Sequence, residues 1–314
     1  MTTDRTLVAL DAGQTGIRSL MTTRENNSKR EFPGLRTDIE LFPQLALVIH
    51  ELLADEKEPV TLAIGMTGLT KSQSDPDALL ELLAGKVNEI FLAHDSITGF
   101  LGSMGLSQGT VTAAGTGVVT LAVGPQRLAR VDGWGNLIGD AGSAYWIGRA
   151  GLEAGMKSYD GRIGPTQLSE ILWDNFTHPE EAYIELQTNH NRVATIASFA
   201  RQVLELASSD LVAKEIVENA GRELALSAAA AARRSGLDGE LSPKFSWAGN
   251  LMRADSLREA FIENLVSILP GALISAPIAE PIDGVALLPS IPAGSPLLDV
   301  VYVSRSAQNS SAHR

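Results

Sequence analysis

The sequence predicts an α/β protein that is divided into two domains. At 314 residues, the chain is longer than a single hydrophobic core usually serves, which favours two domains. In residues 1–125, short apolar runs typical of buried strands end in Gly, Asp or Thr and are separated by segments with helical spacing. This alternation is typical of α/β folds, whose functional loops follow the carboxyl ends of strands.

The elements of the first half follow in a regular order. The predicted strands cover 6–10, 17–22, 60–64, 89–93, 110–114 and 118–123, and the predicted helices cover 41–53, 77–84 and 96–103. Beyond Ala144 the pattern becomes largely helical, with Ala-rich and Leu-rich segments over 196–234 that end at Ser235-Gly236. A strand over 244–247 and a helix over 256–269 follow.

These elements suggest the domain boundaries. We expect an N-terminal α/β domain over 1–108 and a C-terminal α/β domain with a helical insertion over 109–283. Residues 284–304 are expected to pack back on the first domain, and 305–314 to form a flexible tail.

Composition excludes several classes of function. The chain has 25 Lys and Arg against 37 Asp and Glu, a formal net charge of −12, which disfavours nucleic-acid and membrane partners. It has no cysteine, so disulfides, thiolate nucleophiles and cysteine-held iron–sulfur clusters are excluded. The amino terminus does not resemble a signal peptide, and the apolar C-terminal segment is interrupted by proline and acidic residues. We therefore expect a cytoplasmic protein.

Common nucleotide and hydrolase motifs are absent or misplaced. No G-x-x-x-x-G-K-[ST] sequence occurs, which excludes a P-loop. Gly133, Gly135 and Gly139 form G-x-G-x-x-x-G, but no strand is predicted to run into them, which disfavours a dinucleotide fold. The sequence GLSQG at 105–109 matches a hydrolase motif, but here the helix comes before it and the strand after it, the reverse of the required order.

Short Gly/Thr turns after predicted strands are the remaining candidates for a binding site. They are DAGQTG at 11–16, GMTG at 65–68, AAGTGV at 113–118 and WAGN at 247–250. The turns at 11–16 and 113–118 are predicted to be hairpins, one at the start of each half of the chain. Their backbone N–H groups and hydroxyls could hold a triphosphate.

Four segments together resemble a known family. DAGQTGIRS, AHDS, AAGTGV and especially GWGNLIGDAGSAYWIGR resemble the N-acetylglucosamine kinase and BadF/BadG/BcrA/BcrD ATPase family, over essentially the whole chain in motif order. That family belongs to the superfamily of actin, hexokinase and the heat-shock ATPases. The resemblance implies two ribonuclease-H-like (actin-like ATPase) domains around a central cleft, with ATP and Mg²⁺ on one side and an amino sugar on the other. We also expect a homodimer.

The resemblance also implies site residues for the nucleotide. Asp11 would hold Mg²⁺ through water; the phosphate and adenosine contacts would be Gly13, Gln14, Thr15, Gly115, Thr116, Gly117, Gly249 and Asn250. The chain departs from the family at Gln14, where a glycine is usual, and at Val118, where a serine is common. Ala248-Gly249-Asn250 matches the adenosine-side loop only in part.

The resemblance implies a sugar site as well. Asp95 would be the catalytic base, because a sugar hydroxyl is a poor nucleophile until a carboxylate accepts its proton. The alternative for Asp95 is a helix N-cap. Residues implied to line the sugar pocket are Gly68, Asp95, Gly133, Trp134, Gly135 and Asp140. Trp146 would pack the helix that begins near Ser143, and the alternative is that both tryptophans are core anchors.

The resulting hypothesis is an ATP-dependent kinase that phosphorylates N-acetylglucosamine or glucosamine, at the 6-hydroxyl by resemblance. One alternative is an ATPase that energises a partner protein, which is disfavoured because such activators hold an iron–sulfur cluster with cysteines. The other is a non-catalytic sugar sensor, for which Gln14 and Val118 leave room. The sugar itself is left open, since Thr37 and Asp38 stand where the family often carries an asparagine.

Overall fold

The computed structural model describes residues 6–36, 38–69, 74–83, 85–239 and 242–306. Contacts divide the chain into two compact units. The first unit comprises Met1–Ser107 and Pro277–Arg314, and the second comprises Gln108–Ala276. The return to the first unit thus begins at Pro277, whereas the sequence placed it at Gly284.

The first unit is built on a six-stranded sheet that contains both parallel and antiparallel pairs of strands. Its strands are β1 (Leu7–Ala12), β2 (Ile17–Thr22), β3 (Asn27–Phe32), β4 (Val60–Met66), β5 (Val87–His94) and β11 (Val301–Arg305). The order in the sheet is β11-β5-β4-β1-β2-β3. β1, β2 and β3 pair antiparallel, whereas β4 lies parallel to β1 and β5 parallel to β4.

The second unit repeats this plan. Its strands are β6 (Gly109–Ala114), β7 (Val118–Val123), β8 (Leu128–Val131), β9 (Lys244–Ala248) and β10 (Leu273–Ile274), in the order β10-β9-β6-β7-β8. β6, β7 and β8 again pair antiparallel, and β9 again returns parallel to the first strand. Each unit therefore opens with a hairpin whose turn follows a central strand.

Helices cover the sheets and fill the long connection between β8 and β9. In the first unit they are α1 (Leu41–Leu52), α2 (Pro76–Leu82), α3 (Asp95–Met104) and α11 (Pro281–Ala286). In the second unit they are α4 (Ala144–Tyr159), α5 (Leu168–Asn175), α6 (Ala182–Thr188), α7 (Arg192–Ser198), α8 (Ala200–Leu206), α9 (Leu211–Ser235) and α10 (Asp255–Ile268). No helix within the described residues is long and apolar enough to cross a membrane.

The long helix α9 illustrates how the sequence sets these elements. Asp210 caps its start by accepting the N–H groups of Val212 and Ala213, and Gly236 ends it in the left-handed conformation with φ 84°. Its buried face is rich in alanine, and a Cβ on Gly221 would lie 2.6 Å from the Cβ of Ala260 on α10. Small side chains therefore let α9 pack closely against its neighbour.

The observed elements confirm the α/β class and most of the predicted segments. The sequence missed β3, β8, β10 and β11. β3 is exposed along nearly its whole length, so its residues show no apolar alternation. The prediction of a tail from Arg305 is wrong at its start, because Arg305 pairs with Glu89 in the sheet. Thr37, Ala84 and residues 307–314 lie outside the described residues.

The premise used against a dinucleotide fold is also wrong. A strand does run towards Gly133, since β8 ends at Val131. However, β8 pairs antiparallel with β7, and α4 begins only at Ala144, so the segment is not a strand–turn–helix unit of a parallel sheet. Around GLSQG, α3 ends at Met104 and β6 begins at Gly109, which confirms the order that disfavours a hydrolase.

Candidate active site

The first hairpin turn joins β1 to β2. The Gly13 N–H donates to the Gly16 carbonyl oxygen at 3.0 Å, and the side chains of Gln14 and Thr15 are exposed. Gly34 lies directly beneath the turn, because a Cβ there would be 2.0 Å from the Gln14 carbonyl oxygen. The turn therefore presents its polar side chains outward from a tightly supported backbone.

Asp11 lies just before this turn, near the end of β1. Its carboxylate accepts a hydrogen bond from Arg18 Nη2 at 2.9 Å on the facing strand. Burial raises the pKa of Asp11 above its usual value, the Arg18 charge opposes that rise, and repulsion from Asp95 and Glu280 adds to it. Asp95 and Glu280 thus place further negative charge near Asp11, and Arg18 partly offsets it.

A metal ion bound at Asp11 would have one carboxylate as its protein ligand. No group of three or more His, Asp or Glu side chains among the described residues is arranged to hold a metal. Mg²⁺ typically keeps several waters and uses one or two carboxylates together with substrate phosphates. A single carboxylate beside a hairpin turn is consistent with that mode of binding.

Asp95 is the first residue of α3, directly after β5. The side chain that caps α3 belongs to His94, whose Nδ1 accepts the Ser96 N–H at 3.2 Å. The alternative role for Asp95 as the N-cap is therefore wrong. The Asp95 carboxylate is 42% exposed and lies 2.8 Å from His94 Nδ1. His94 therefore caps the helix, and the Asp95 carboxylate lies at the favourable positive end of the helix dipole.

The second hairpin turn, Gly115-Thr116-Gly117, joins β6 to β7. It is held by the start of α4, where the N–H of Ala144 donates to the Gly115 carbonyl at 2.9 Å and that of Tyr145 to the Thr116 carbonyl at 3.2 Å. The next residue, Val118, is buried in the core of the second unit. Its side chain contributes to packing and offers no hydroxyl to a ligand.

A cavity of about 710 Å³ in the second unit adjoins this hairpin. Three predicted nucleotide residues, Gly115, Thr116 and Asn250, line it. The other lining residues come from α4, from α7 and α8, and from the segment around the start of α10: Ala144, Ala197, Ser198, Ala200, Arg201, Leu204, Glu205, Leu251, Ala254, Asp255 and Ser256. Its volume lies in the range of small-molecule and cofactor sites.

Gly249 supports the cavity without lining it. It follows β9 with φ 90°, and a Cβ there would lie 2.2 Å from the Ala114 carbonyl oxygen. The glycine therefore lets the chain after β9 approach the end of β6, which places Asn250 beside the hairpin turn.

Residues 133–139 form a loop between β8 and α4, which we call the glycine–tryptophan loop. Trp134 is 58% exposed, so the alternative that it anchors the core is wrong. The Arg130 guanidinium lies over its ring at 5.2 Å and donates to the Gly133 carbonyl. Trp146, by contrast, lies on α4 and packs against the core of the second unit, as predicted. α4 begins at Ala144, close to the predicted start near Ser143, and the Ser143 side chain caps it.

Asp140 follows the glycine–tryptophan loop and is only 8% exposed. Its Oδ1 lies 3.4 Å from the Val118 nitrogen, and a Cβ on Gly117 would be 2.8 Å from its Oδ2. Its carboxylate therefore faces the second hairpin. Burial raises the pKa of Asp140, backbone N–H groups of Val118 and Gly135 oppose the rise, and repulsion from Asp132 adds to it.

Replacing Asp140 with Asn should make stability less dependent on pH. Because the pKa of Asp140 is raised above its ordinary 3.8, the folded state binds more protons than the unfolded state just above that pH. The stability that the Asp140 carboxyl contributes is therefore lost as pH rises through its raised pKa. As pH rises from the ordinary carboxyl value of 3.8, the melting temperature of Asp140→Asn should rise relative to wild type. A difference that is constant with pH would contradict this assignment.

The structure groups the predicted residues by unit. In the first unit, Asp11 lies near the end of β1 and the Gly13–Thr15 turn follows that strand. Asp95 follows β5, and Gly68, with φ 72°, follows β4. In the second unit, the hairpin, Asn250 and Asp140 lie around the start of α4.

Sequence reasoning missed Asp132, which binds the backbone of the loop, and the cavity residues from α7 and α8. The Asp-Gly pair at 132–133 was a signal for a turn, but the helices carry none.

Two sugar kinases are similar to this chain in sequence. The chain is 28% identical over 185 residues to an N-acetylmuramic acid/N-acetylglucosamine kinase of Clostridium acetobutylicum, covering 54% of this chain and 58% of that protein. It is 27% identical over 250 residues to an N-acetyl-D-glucosamine kinase of Dictyostelium discoideum, covering 74% and 77%. The chain thus spans little more than half the length of the first relative.

A solved structure confirms the fold. The crystal structure of a protein of Chromobacterium violaceum, proposed to be an N-acetylglucosamine kinase, superposes with a TM-score of 0.69 at 22% identity, covering 90% of this chain and 98% of that one. The sequence profile of the BadF/BadG/BcrA/BcrD ATPase family matches residues 43–288 of this chain. The predicted membership is confirmed: the chain belongs to the BadF/BadG/BcrA/BcrD ATPase family.

Proposed function

We propose that the protein is an ATP-dependent kinase that phosphorylates N-acetylglucosamine or glucosamine, at the 6-hydroxyl. The observation that carries the proposal is the cavity in the second unit, which adjoins the Gly115-Thr116-Gly117 turn and is lined by Asn250. A nucleotide in this cavity would place its phosphates next to the backbone of the hairpin. The two curated relatives, both named as sugar kinases, support the choice of acceptor.

In this mechanism each residue has a distinct task. The two hairpin turns, Gly13–Thr15 and Gly115–Gly117, hold the phosphates through backbone N–H groups and hydroxyls. The sugar hydroxyl oxygen forms a bond to the γ-phosphorus while the bond between that phosphorus and the ADP oxygen breaks. Asp95 accepts the proton that the hydroxyl loses. Gly133, Gly135 and Asp140 bind the sugar hydroxyls, and Trp134 forms a wall of that site.

Magnesium is the metal that the first unit suits best. Asp11 would hold it through water, and the bound ion would neutralise charge on the β- and γ-phosphates. A homodimer and a cytoplasmic location stay predictions from the sequence.

An ADP-release assay with a panel of sugars tests the function directly. We expect ADP release with MgATP to depend on an added amino sugar, and the preferred sugar to identify the substrate. Release that is independent of sugar would favour an ATPase that energises a partner. Sugar binding without turnover would favour a sensor and overturn the kinase proposal.

Replacing Gln14 with Gly should weaken MgATP binding. The exposed amide lies on a turn whose backbone is fixed by Gly34, so its side chain can donate to a phosphate oxygen. Losing one hydrogen bond to a charged group should cost about 1.5–3 kcal/mol, measured by calorimetric titration with MgATP. Unchanged or tighter binding would show that the side chain is merely tolerated beside the phosphates.

A further inference from the structure

Asp132 connects the two ends of the glycine–tryptophan loop. It is 9% exposed, and its Oδ1 accepts the N–H groups of Gly133 and Asp140, each at 2.7 Å. Its Oδ2 accepts the N–H of Ala141 at 3.1 Å. One carboxylate therefore makes charge-assisted hydrogen bonds to the backbone before and after the loop.

The backbone conformation of residues 132–140 allows these hydrogen bonds to Asp132. Asp132 and Asp140 have φ 60° and φ 59°, the left-handed region that few residues other than glycine adopt. A Cβ on Gly139 would lie 2.5 Å from Asp132 Oδ1, so the absence of a side chain there lets the carboxylate reach its partners. Inside the loop, the Gly139 N–H donates to the Gly135 carbonyl at 2.8 Å.

Apart from the contact of Trp134 with Arg130, the large side chains of the loop are mostly exposed. Trp134, Leu137 and Ile138 are 58%, 89% and 84% exposed. The conformation of the loop therefore depends chiefly on hydrogen bonds that its backbone makes. Asp132 accepts such hydrogen bonds from both ends of the loop. The second hairpin, by contrast, has independent anchors in the N–H groups of Ala144 and Tyr145.

We propose that Asp132 is a positioning residue for sugar binding, which holds Gly133, Gly135 and Asp140 in the geometry that binds the sugar hydroxyls. This inference rests on the proposed kinase function. Asp132 acts through the loop and does not itself contact substrate. Because the hairpin is anchored separately, loss of the Asp132 carboxylate affects the sugar more than the nucleotide.

Steady-state kinetics of Asp132→Asn and Asp132→Ala test the proposal. Asn keeps one acceptor oxygen for Gly133 and Asp140 but loses the acceptor for Ala141, so we expect the sugar KM to rise about 10-fold. Ala removes all three bonds, and we expect a rise of about 100-fold. The KM for ATP and the kcat at saturating sugar should stay within about threefold of wild type.

Asp210→Ala is the matched control. The Asp210 carboxylate also accepts three backbone N–H groups, those of Gln167, Val212 and Ala213, but it caps α9. This variant should lose thermal stability and keep the wild-type sugar KM. If the Asp132 variants lose stability likewise without a change in sugar KM, Asp132 is only structural and the proposal is overturned.

Hydrogen exchange separates this proposal from the kinase proposal. In Asp132→Ala we expect the amides of Gly133, Asp140 and Ala141 to exchange faster, while those of Ala144 and Tyr145 keep their protection. If wild type shows no sugar-dependent turnover, the kinase proposal fails, and sugar affinity measured by calorimetry replaces KM. Unchanged amide exchange in the loop would overturn the role of Asp132 whatever the activity.

Discussion

Replacing Asp95 with Asn should lower kcat by about 10²- to 10⁴-fold, because a positioned general base typically contributes that much. Asn is nearly isosteric but cannot accept the proton of the sugar hydroxyl. Since His94 caps α3, the substitution should leave the helix and the melting temperature nearly unchanged. The KM values for sugar and ATP should stay within a few-fold, and both are measured in the ADP-release assay.

Asp75→Asn is the matched control for this experiment. Asp75 lies in the same unit at the start of α2, where its side chain accepts the Asp77 N–H at 3.0 Å, and Asn also caps helices well. This variant should keep wild-type kcat. Near-normal turnover of Asp95→Asn would remove Asp95 from the role of base.

Replacing Gly249 with Ala should destabilise the second unit by about 2–6 kcal/mol and weaken nucleotide binding. Two costs combine at this position: a left-handed φ of 90°, which costs about 1–3 kcal/mol for a residue with a side chain, and overpacking against the Ala114 carbonyl, which costs about 1–3 kcal/mol. Because the clash displaces the chain before Asn250, the cavity wall should move with it. Denaturant unfolding and calorimetry with MgATP measure the two effects.

Gly161→Ala separates these two costs. Gly161 has φ 76°, but a Cβ there would meet no atom within 4 Å. It should therefore carry only the backbone cost of roughly 1–3 kcal/mol and leave nucleotide affinity unchanged. Equal effects of the two substitutions would show that the close approach of Gly249 to Ala114 has no role in the cavity.

The local sequence located most strands because a buried strand leaves an apolar run that stops at a turn residue, although β1 and β4 each end two residues beyond the predicted bound. Two strands have the bounds that were predicted for them, Ile17–Thr22 and Val118–Val123. The end of α9 was predicted from Ser235-Gly236, which follows the Ala-rich helical segment. β3 could not be found in this way, because its exposed polar residues are indistinguishable from a loop until β2 pairs with it.

The candidate site was predictable only where its motifs are contiguous. The two hairpin turns and the position of Asp95 after β5 follow from short segments of sequence. The cavity does not, because α7 and α8 reach the hairpin from far along the chain and carry no motif. The capping role of His94 was also hidden, since sequence rules favour Asp at that position.

By itself, the sequence determined the α/β class, the opening hairpin of each unit and the family, because these depend on local periodicity and contiguous motifs. Only the tertiary structure decided that the Asp140 carboxylate faces the second hairpin and that Asp132 binds the Asp140 amide eight residues later. Those contacts require two left-handed backbone turns and a glycine at 139 to bring distant atoms together. No pattern of hydrophobicity or charge specifies such a combination.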